Sequence, residues 1–249
     1  SVLAVTALAV LSVTPARADY IRDFEYWLGD YNFYQAWDVT QGEGVLVSVI
    51  DSGIGYAPDI NAAVVGGEDF SGVGSPDGRT PVGESPDHGT LVASVLAGRG
   101  TGGNNGVIGT APAAQLLSAS VAFGDNTAVS SDEQIANAIK WSVDQGAKVI
   151  NMSLTRNSLE WPPSWDDAFM YAFEHDVVIV AAAGNRGAGT TEVGAPATIP
   201  GVLTVAGLDV NGEASYDASS QGITIGVSAP SEALVGVAPG GAYMKWSGS

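Results

Sequence analysis

The chain has no cysteine and few basic residues, and these two shortages exclude several classes of protein. Without cysteine there is no disulfide bond, no thiol nucleophile and no thiolate metal site. Lys and Arg number 9 against 27 Asp and Glu, which gives a net charge of −18. A nucleic-acid-binding protein needs a basic face to meet the phosphates, and so few cations cannot build one, so we exclude that class.

Apolar residues and glycine, in contrast, are abundant. Hydrophobic residues make up 45% of the 249 residues, charged residues make up 14%, and there are 33 glycines. This composition is typical of a folded, loop-rich protein and not of a disordered chain. A chain of this length buries a large core without disulfide bonds, so the lack of cysteine does not argue against secretion. We interpret the acidic excess as a solvated surface, with salt tolerance as the alternative.

The N-terminal end predicts a secreted protein. Residues 2–13 form an apolar run of 12 residues, which is too short to cross a bilayer comfortably. The Ala-Arg-Ala of residues 16–18 follows, a small-residue pattern that signal peptidases cut. We therefore predict a signal peptide over residues 1–18 that lacks its basic start, a lead-in segment over 19–40 and one main domain over 41–249. The alternative is that the apolar run is a buried strand or helix of the mature protein.

Short apolar runs rich in β-branched residues alternate with helical stretches along the main domain. Such runs are typical of strands buried on both faces of a parallel sheet. Helices are predicted from His88 to Ala97 and from Ser131, which opens a capping-box pattern, to a C-cap at Gly146. The alternation predicts an α/β, doubly wound and mostly parallel sheet of about seven strands. The predicted strands are Val45–Ile50, Val64–Val65, Leu116–Ala122, Val149–Leu154, Val177–Ala183, Val202–Ala206 and Ile223–Ala229.

Three polar residues lie near the carboxyl ends of these strands, where open parallel sheets bind their ligands. Asp51 ends the first strand, His88 opens a helix and Asn185 ends the fifth strand. Each suits acyl transfer. A carboxylate orients an imidazole, the imidazole moves a proton from a hydroxyl to a leaving amine, and an amide stabilises the oxyanion. Taken singly, Asp51 and Asn185 could be ordinary turn residues.

Four segments around these residues resemble the signature motifs of the subtilisin-like serine proteases, or subtilases, and occur in the family's order. They are Val-Ile-Asp51-Ser-Gly-Ile, His88-Gly-Thr-Leu-Val-Ala-Ser, Val-Ile-Asn-Met-Ser-Leu154 and Ala-Ala-Ala-Gly-Asn185. One such motif could recur by chance, but four in order identify the chain as a member of the family. The resemblance implies a subtilase catalytic domain over residues 41–249, with the subtilisin-like three-layer fold. It also implies peptide-bond hydrolysis by an Asp-His-Ser triad, with no cofactor required for the chemistry.

The resemblance also implies where a peptide substrate binds. Ser153 and Leu154 correspond to the strand that pairs with the substrate backbone. Ala183 and Gly184 correspond to a wall of the first specificity pocket, and Gly194 corresponds to its floor. A glycine floor predicts room for a bulky apolar or aromatic side chain before the scissile bond.

The chain departs from the family pattern at four places. Ala57-Pro58-Asp59-Ile60 stands where the family often has His-Pro-Asp-Leu. Thr155-Arg156 stands where the family usually has Gly-Gly, so the edge of the pocket is expected to differ. The segment over residues 19–40 is too short for a folding prodomain, which is a feature that mycosin-like members share. Gly248 and Ser249 align with the start of the family's Gly-Thr-Ser motif, so the nucleophile is expected directly after Ser249. The domain would then be truncated at its C-terminus, and this fragment is expected to be inactive and poorly folded. A one-residue shift would make Ser249 itself the nucleophile, which is the alternative.

Two classes of function stay open: a secreted serine endopeptidase, and a catalytically dead peptide-binding module on the same fold. Asp51, His88 and Asn185 together favour the enzyme, because binding alone requires none of them. We expect a protein or peptide substrate, no nucleic acid and no stable partner, and an extracellular or cell-surface location. Many subtilases bind structural calcium, but the acidic residues between Glu68 and Asp87 follow no ligand spacing. A solvated loop is therefore expected there, and no metal ligand is assigned.

Overall fold

The computed structural model of the chain describes residues 20–123 and 127–249. The predicted signal peptide, residues 1–18, lies outside the described residues. Within the two described ranges, none of the helices combines the length and the hydrophobicity that a membrane span requires.

A parallel sheet of seven strands forms the centre of the molecule. Its strands are β1 (Leu46–Asp51), β2 (Val64–Asp69), β3 (Gln115–Ser120), β4 (Val149–Met152), β5 (Val178–Ala182), β6 (Leu203–Leu208) and β7 (Ile225–Pro230). They are arranged in the order β2-β3-β1-β4-β5-β6-β7, and each neighbouring pair is parallel. The chain therefore winds outward from β1 in both directions, which confirms the predicted doubly wound α/β fold.

Helices cover both faces of this sheet and give the three layers. They are α1 (Tyr26–Asp30), α2 (Phe33–Ala36), α3 (His88–Ala97), α4 (Ser131–Asp144) and α5 (Asp166–Glu174). On one face α4 and α5 bury Ile139 and Phe169 against Ile150 of β4. On the other face α3 buries Val92 against Val49 of β1. A sheet covered on both sides favours strands that are mostly apolar, which the central strands β1, β4 and β5 show, whereas the edge strand β2 is partly exposed and ends in Glu68 and Asp69.

The observed ends of α3 and α4 can be compared with the helix boundaries that the sequence predicts. Helix α3 has the predicted bounds. Helix α4 is capped by Ser130, whose side chain accepts a hydrogen bond from Glu133 N at 3.3 Å. The sequence predicted Ser131 as the capping residue. The observed cap is Ser130, one position earlier. Gly146 follows the end of the helix with a φ of 86°, a left-handed conformation that favours glycine.

An antiparallel hairpin, β8 (Leu234–Val237) and β9 (Tyr243–Trp246), was not predicted. Its strands have four residues each, too few to show a clear alternation of apolar and polar side chains. The hairpin packs against α3 and against the lead-in segment, where Trp27 and Leu28 share an apolar cluster with Leu234. It matters for the site because its second strand leads directly to the residues beside Asn185.

Candidate active site

Asp51 and His88 form a hydrogen-bonded pair at the carboxyl edge of the sheet. Asp51 is the last residue of β1 and is buried, and His88 is the first residue of α3. His88 Nδ1 lies 2.8 Å from Oδ1 and 3.0 Å from Oδ2 of Asp51. An ionised carboxylate only accepts hydrogen bonds, so Nδ1 donates its proton and Nε2 is the ring nitrogen left to exchange a proton with a substrate or nucleophile.

The two residues after His88 explain how α3 comes close enough for this pair. A Cβ at Gly89 would lie 2.6 Å from Gly53 O, so a larger residue would push the helix away from the end of β1. The buried hydroxyl of Thr90 accepts a hydrogen bond from Gly55 N at 2.8 Å. The His-Gly-Thr sequence therefore docks the start of the helix and fixes the ring of His88.

Burial and the charge of Asp51 act in opposite directions on the pKa of His88. Burial lowers the pKa because it disfavours the charged ring, while the carboxylate and its hydrogen bond raise it. The carboxylate prevails, and the pKa of His88 lies above its usual value of 6.5. A raised pKa makes the neutral ring a stronger base, which suits proton abstraction from a hydroxyl.

Asn185 lies three residues after the end of β5, at the same carboxyl edge of the sheet as Asp51. Its Oδ1 accepts a hydrogen bond from Ser249 N at 2.9 Å. Among the described residues, its Nδ2 has no hydrogen-bond partner. The amide is therefore held by its oxygen, and its two N–H donors remain for a ligand.

The end of the hairpin and the residues after it contact both His88 and Asn185. The ring of Trp246 meets that of His88 edge to face, with 6.0 Å between centroids. Three residues later, Ser249 Oγ accepts a hydrogen bond from Gly184 N at 3.0 Å and lies 2.9 Å from Gly184 O. The structure thus places Asp51, His88 and Asn185 at the same carboxyl edge of the parallel sheet. Sequence reasoning assigned no role to Trp246, and a single tryptophan after a short strand carries no signal for one.

Ser153 and Leu154 continue beyond the end of β4 beside the Asp51–His88 pair. Together with that pair they line a cleft of about 220 Å³, to which residues 121–123 also contribute. A peptide lying along Ser153 and Leu154 would therefore pass the imidazole, which is compatible with their predicted role.

Ala183 and Gly184 are buried next to Asn185, and Gly184 has a φ of 104°. Gly194 is also buried, but a Cβ there would collide with the backbone oxygen of Arg156. The space left by the missing side chain at Gly194 is therefore taken by a neighbouring chain segment. The expected open floor for a bulky substrate side chain is not present in this arrangement.

The acidic stretch between Glu68 and Asp87 is organised by hydrogen bonds. The carboxylate of Asp69 accepts from Ser71, from the backbone of Gly72 and Gly74, and from Ser120. Over the described parts of the chain, no group of three or more His, Asp or Glu side chains is placed to hold a metal ion. A structural calcium ion stays a prediction that these contacts do not test.

A parallel sheet whose carboxyl edge carries a carboxylate–imidazole pair and a free amide donor is the arrangement that acyl-transfer hydrolases use. Comparison with known proteins assigns the chain more closely. Residues 42–249 match the Subtilase family, and the chain belongs to this family of serine proteases.

Relatives of the chain span several branches of that family. It is 34% identical over 216 residues to thermitase from Thermoactinomyces vulgaris, covering 86% of this chain and 73% of thermitase. It is 36% identical over 255 residues to Mycosin-3 from Mycobacterium tuberculosis, covering 84% of this chain and 53% of Mycosin-3. The crystal structure of MycP1 with its N-terminal propeptide removed superposes with a TM-score of 0.69 at 28% identity, covering 88% of this chain and 74% of MycP1. The chain spans about half the length of several curated relatives.

Proposed function

We propose that the protein is a secreted serine endopeptidase. In this proposal Asp51 and His88 activate a serine that directly follows Ser249, and Asn185 binds the oxyanion. The observation that carries the proposal is the Asp51–His88 pair, which lies at the same carboxyl edge of the parallel sheet as the amide of Asn185. A pair in this geometry has no use in simple peptide binding.

The chemistry follows from the positions of the atoms. The serine hydroxyl attacks the scissile carbonyl while His88 Nε2 takes its proton, and the charge of Asp51 stabilises the resulting imidazolium. The carbonyl oxygen becomes an oxyanion that accepts a hydrogen bond from Asn185 Nδ2. In a subtilisin, the loss of one such donor costs about 2.7–4 kcal/mol of transition-state stabilisation, and we adopt that value. His88 then returns the proton to the leaving amine, and water releases the acyl group by the reverse sequence.

The contacts of Ser249 support the next residue as the nucleophile. Its hydroxyl is hydrogen-bonded to the backbone of Gly184 and, at 3.2 Å, to Asn185 Oδ1, and among the described residues it makes no hydrogen bond to His88. Its backbone N–H fixes the oxygen of Asn185. Ser249 therefore acts as a positioning residue for the oxyanion donor, which fits its alignment with the threonine of Gly-Thr-Ser.

The test uses the full-length protein and a fluorophosphonate that labels activated serines. We expect labelling of the residue after Ser249, its loss in His88→Ala, and its retention in Ser249→Ala. Loss of labelling in a folded Ser249→Ala protein would instead make Ser249 the nucleophile. A folded wild-type protein that binds peptides, but neither labels nor cleaves, would overturn the enzyme in favour of the peptide-binding module.

A further inference from the structure

The indole of Trp246 gives the imidazole of His88 a contact in addition to its hydrogen bond with Asp51. That hydrogen bond holds the imidazole at the single atom Nδ1, and the side chain of His88 is 35% exposed. A hydrogen bond at one atom leaves a ring free to tilt about that atom. The indole meets the imidazole edge to face, with 6.0 Å between centroids and 78° between planes, which is a favourable geometry for an aromatic pair. The contact therefore restricts a motion that the hydrogen bond alone permits.

Two open spaces border His88, and each gives the ring room to turn. One is the cleft of about 220 Å³ along Ser153 and Leu154. The other is a hollow of about 360 Å³, which His88 lines together with Leu91 and Trp246. Removing the indole would add its volume to this hollow. The imidazole could then turn into the hollow and away from the cleft.

The indole can restrict His88 because the hairpin and the core hold it in place. Trp246 is the last residue of β9, and its ring packs against two apolar clusters, one with Val92 of α3 and one with Trp27. A Cβ at Gly236 would lie 3.2 Å from Trp246 Nε1, so the missing side chain there leaves room for the indole. Among the described residues, this buried Nε1 has no hydrogen-bond partner. Trp246 therefore acts through the shape and packing of its ring.

The same end of the hairpin also reaches the oxyanion donor. Three residues after Trp246, the N–H of Ser249 donates a hydrogen bond to Asn185 Oδ1 at 2.9 Å. A residue held by packing on a regular element positions its neighbours more precisely than one on a loose loop. The end of β9 is therefore placed to orient the general base and the oxyanion donor together.

We propose that Trp246 is a positioning residue for His88, and that its indole holds the imidazole at the angle at which Nε2 meets the hydroxyl of the nucleophile. The inference rests on the proposed function, in which His88 is the general base. Trp246 acts on the imidazole and not on the substrate. Its loss should therefore slow the chemical step and leave substrate binding nearly unchanged.

The experiment measures kcat and KM separately, with one peptide substrate, for the full-length wild type and its variants. We expect Trp246→Ala to lower kcat by about 10- to 100-fold with little change in KM, because a misplacement of about 1 Å can cost about 100-fold in rate. Trp246→Phe keeps an aromatic ring against His88 and should retain most of the wild-type kcat. Trp37→Ala is the matched control and should keep the wild-type kcat, because Trp37 packs against the cluster with Trp27 while its ring meets that of Tyr34.

The proton on His88 Nδ1 gives a second readout that needs no substrate. The hydrogen bond to Asp51 protects this proton from exchange with water, so we expect its NMR signal to be sharp in the wild type and in Trp246→Phe. In Trp246→Ala the signal should broaden, because the released ring turns toward water. If Trp246→Ala does not fold, Trp246→Leu takes its place, since leucine keeps an apolar side chain against both clusters and removes the aromatic ring.

A folded Trp246→Ala protein with the wild-type kcat overturns the inference. So does one in which KM rises and kcat stays unchanged, because Trp246 would then bind substrate. A kcat that falls equally in Trp246→Ala and Trp37→Ala would mean a general loss of packing and would also overturn it. Failure of the proposed function looks different: the wild type then neither labels with fluorophosphonate nor cleaves the peptide, while the NMR signal of His88 still tests the contact.

Discussion

At Gly89 the lack of a side chain decides how closely helix α3 approaches strand β1. A Cβ there would lie 2.6 Å from Gly53 O and 3.1 Å from Asp51 Oδ1. The same backbone approach brings His88 within hydrogen-bond distance of Asp51. Packing of α3 and the Asp51–His88 hydrogen bond therefore depend on the same short distance between the start of α3 and the end of β1. A substitution that lengthens this distance must disturb both.

We predict that Gly89→Ala destabilises the protein by about 1–3 kcal/mol, because the methyl group has no space and the helix must shift. Peptidase activity should fall further than stability alone explains, since the shift lengthens the Asp51–His88 hydrogen bond. Urea unfolding and kcat/KM measure the two effects. Gly29→Ala is the matched control: Gly29 lies within helix α1, a Cβ there meets nothing within 4 Å, and alanine is about 0.5–1 kcal/mol more favourable than glycine in a helix. Equal effects of the two substitutions would contradict the steric argument.

The protonation of His88 depends on the neighbouring charge of Asp51. Its pKa is raised above 6.5 although burial lowers it, and the charge of Asp51 causes the rise. We expect Asp51→Asn to bring the pKa of His88 below 6.5, because burial then acts alone. The chain has two histidines, so an NMR titration with a His175→Gln variant assigns both signals. An unchanged pKa in Asp51→Asn would contradict the assignment of the cause.

The sign of the pH dependence follows from the same shift. Because the native pKa exceeds the unfolded one, the stabilisation from the protonated pair is fully present below pH 6.5 and is lost as the pH rises through the native pKa. Activity changes in the opposite direction, because only the neutral ring accepts a proton from the nucleophile. The rise of kcat/KM with pH should therefore have its midpoint above pH 6.5 and match the NMR pKa.

At the scale of elements, helix α4 shows how far a sequence motif determines a boundary. Ser130 and Ser131 each precede an acid or amide by three residues, so both match the capping box. The structure selects Ser130, whose hydroxyl accepts from Glu133 N. Helix existence was thus predictable from the motif, while the capping position depended on how the preceding loop arrives.

We predict that Ser130→Ala lowers the free energy of unfolding by about 0.5–2 kcal/mol, the usual cost of a lost N-cap. Ser131→Ala is the matched control, since Ser131 is already inside the helix and alanine is the better helix former. Thermal and urea unfolding of both variants measure the difference. A larger loss in Ser131→Ala than in Ser130→Ala would move the cap back to the position that the motif alone predicted.

The sheet and the site differ in how much the sequence could reveal. The central strands were predictable because a buried parallel strand is apolar at nearly every position. The edge strand β2 (Val64–Asp69) was predicted only at its first two residues, because it continues with glycines and acidic residues. Asp51, His88 and Asn185 were predictable because strand ends and a helix start converge at one edge of such a sheet. The filled space beside Gly194 was not predictable from the sequence, because a glycine shows only that a side chain is missing. What fills the space depends on the path of the Thr155–Arg156 segment, which only the folded chain reveals.

At the scale of the whole molecule, the lead-in segment and the main domain share one core. The indole of Trp27 is 2% exposed and packs in a cluster with Val107 and Leu234. The ring of Trp37 donates a hydrogen bond from Nε1 to Thr110 O at 2.9 Å. These contacts place the segment against α3 and the hairpin that leads to Trp246, so the segment supports the part of the molecule that holds the active-site cleft.

We therefore predict that Trp27→Ala destabilises the entire domain, by about 3–5 kcal/mol, as expected for truncation of a buried tryptophan. Tyr20→Ala, at a residue of the same segment that is 67% exposed, should change stability by less than about 0.5 kcal/mol. Urea unfolding followed by circular dichroism measures the whole domain, and proteolysis at residues 20–40 measures the segment alone. If Trp27→Ala released the segment to protease while the main unfolding transition stayed unchanged, the segment would be a separate unit that docks on a self-sufficient domain. One cooperative transition shifted to lower urea would instead mean that the residues before the first strand belong to the catalytic fold itself.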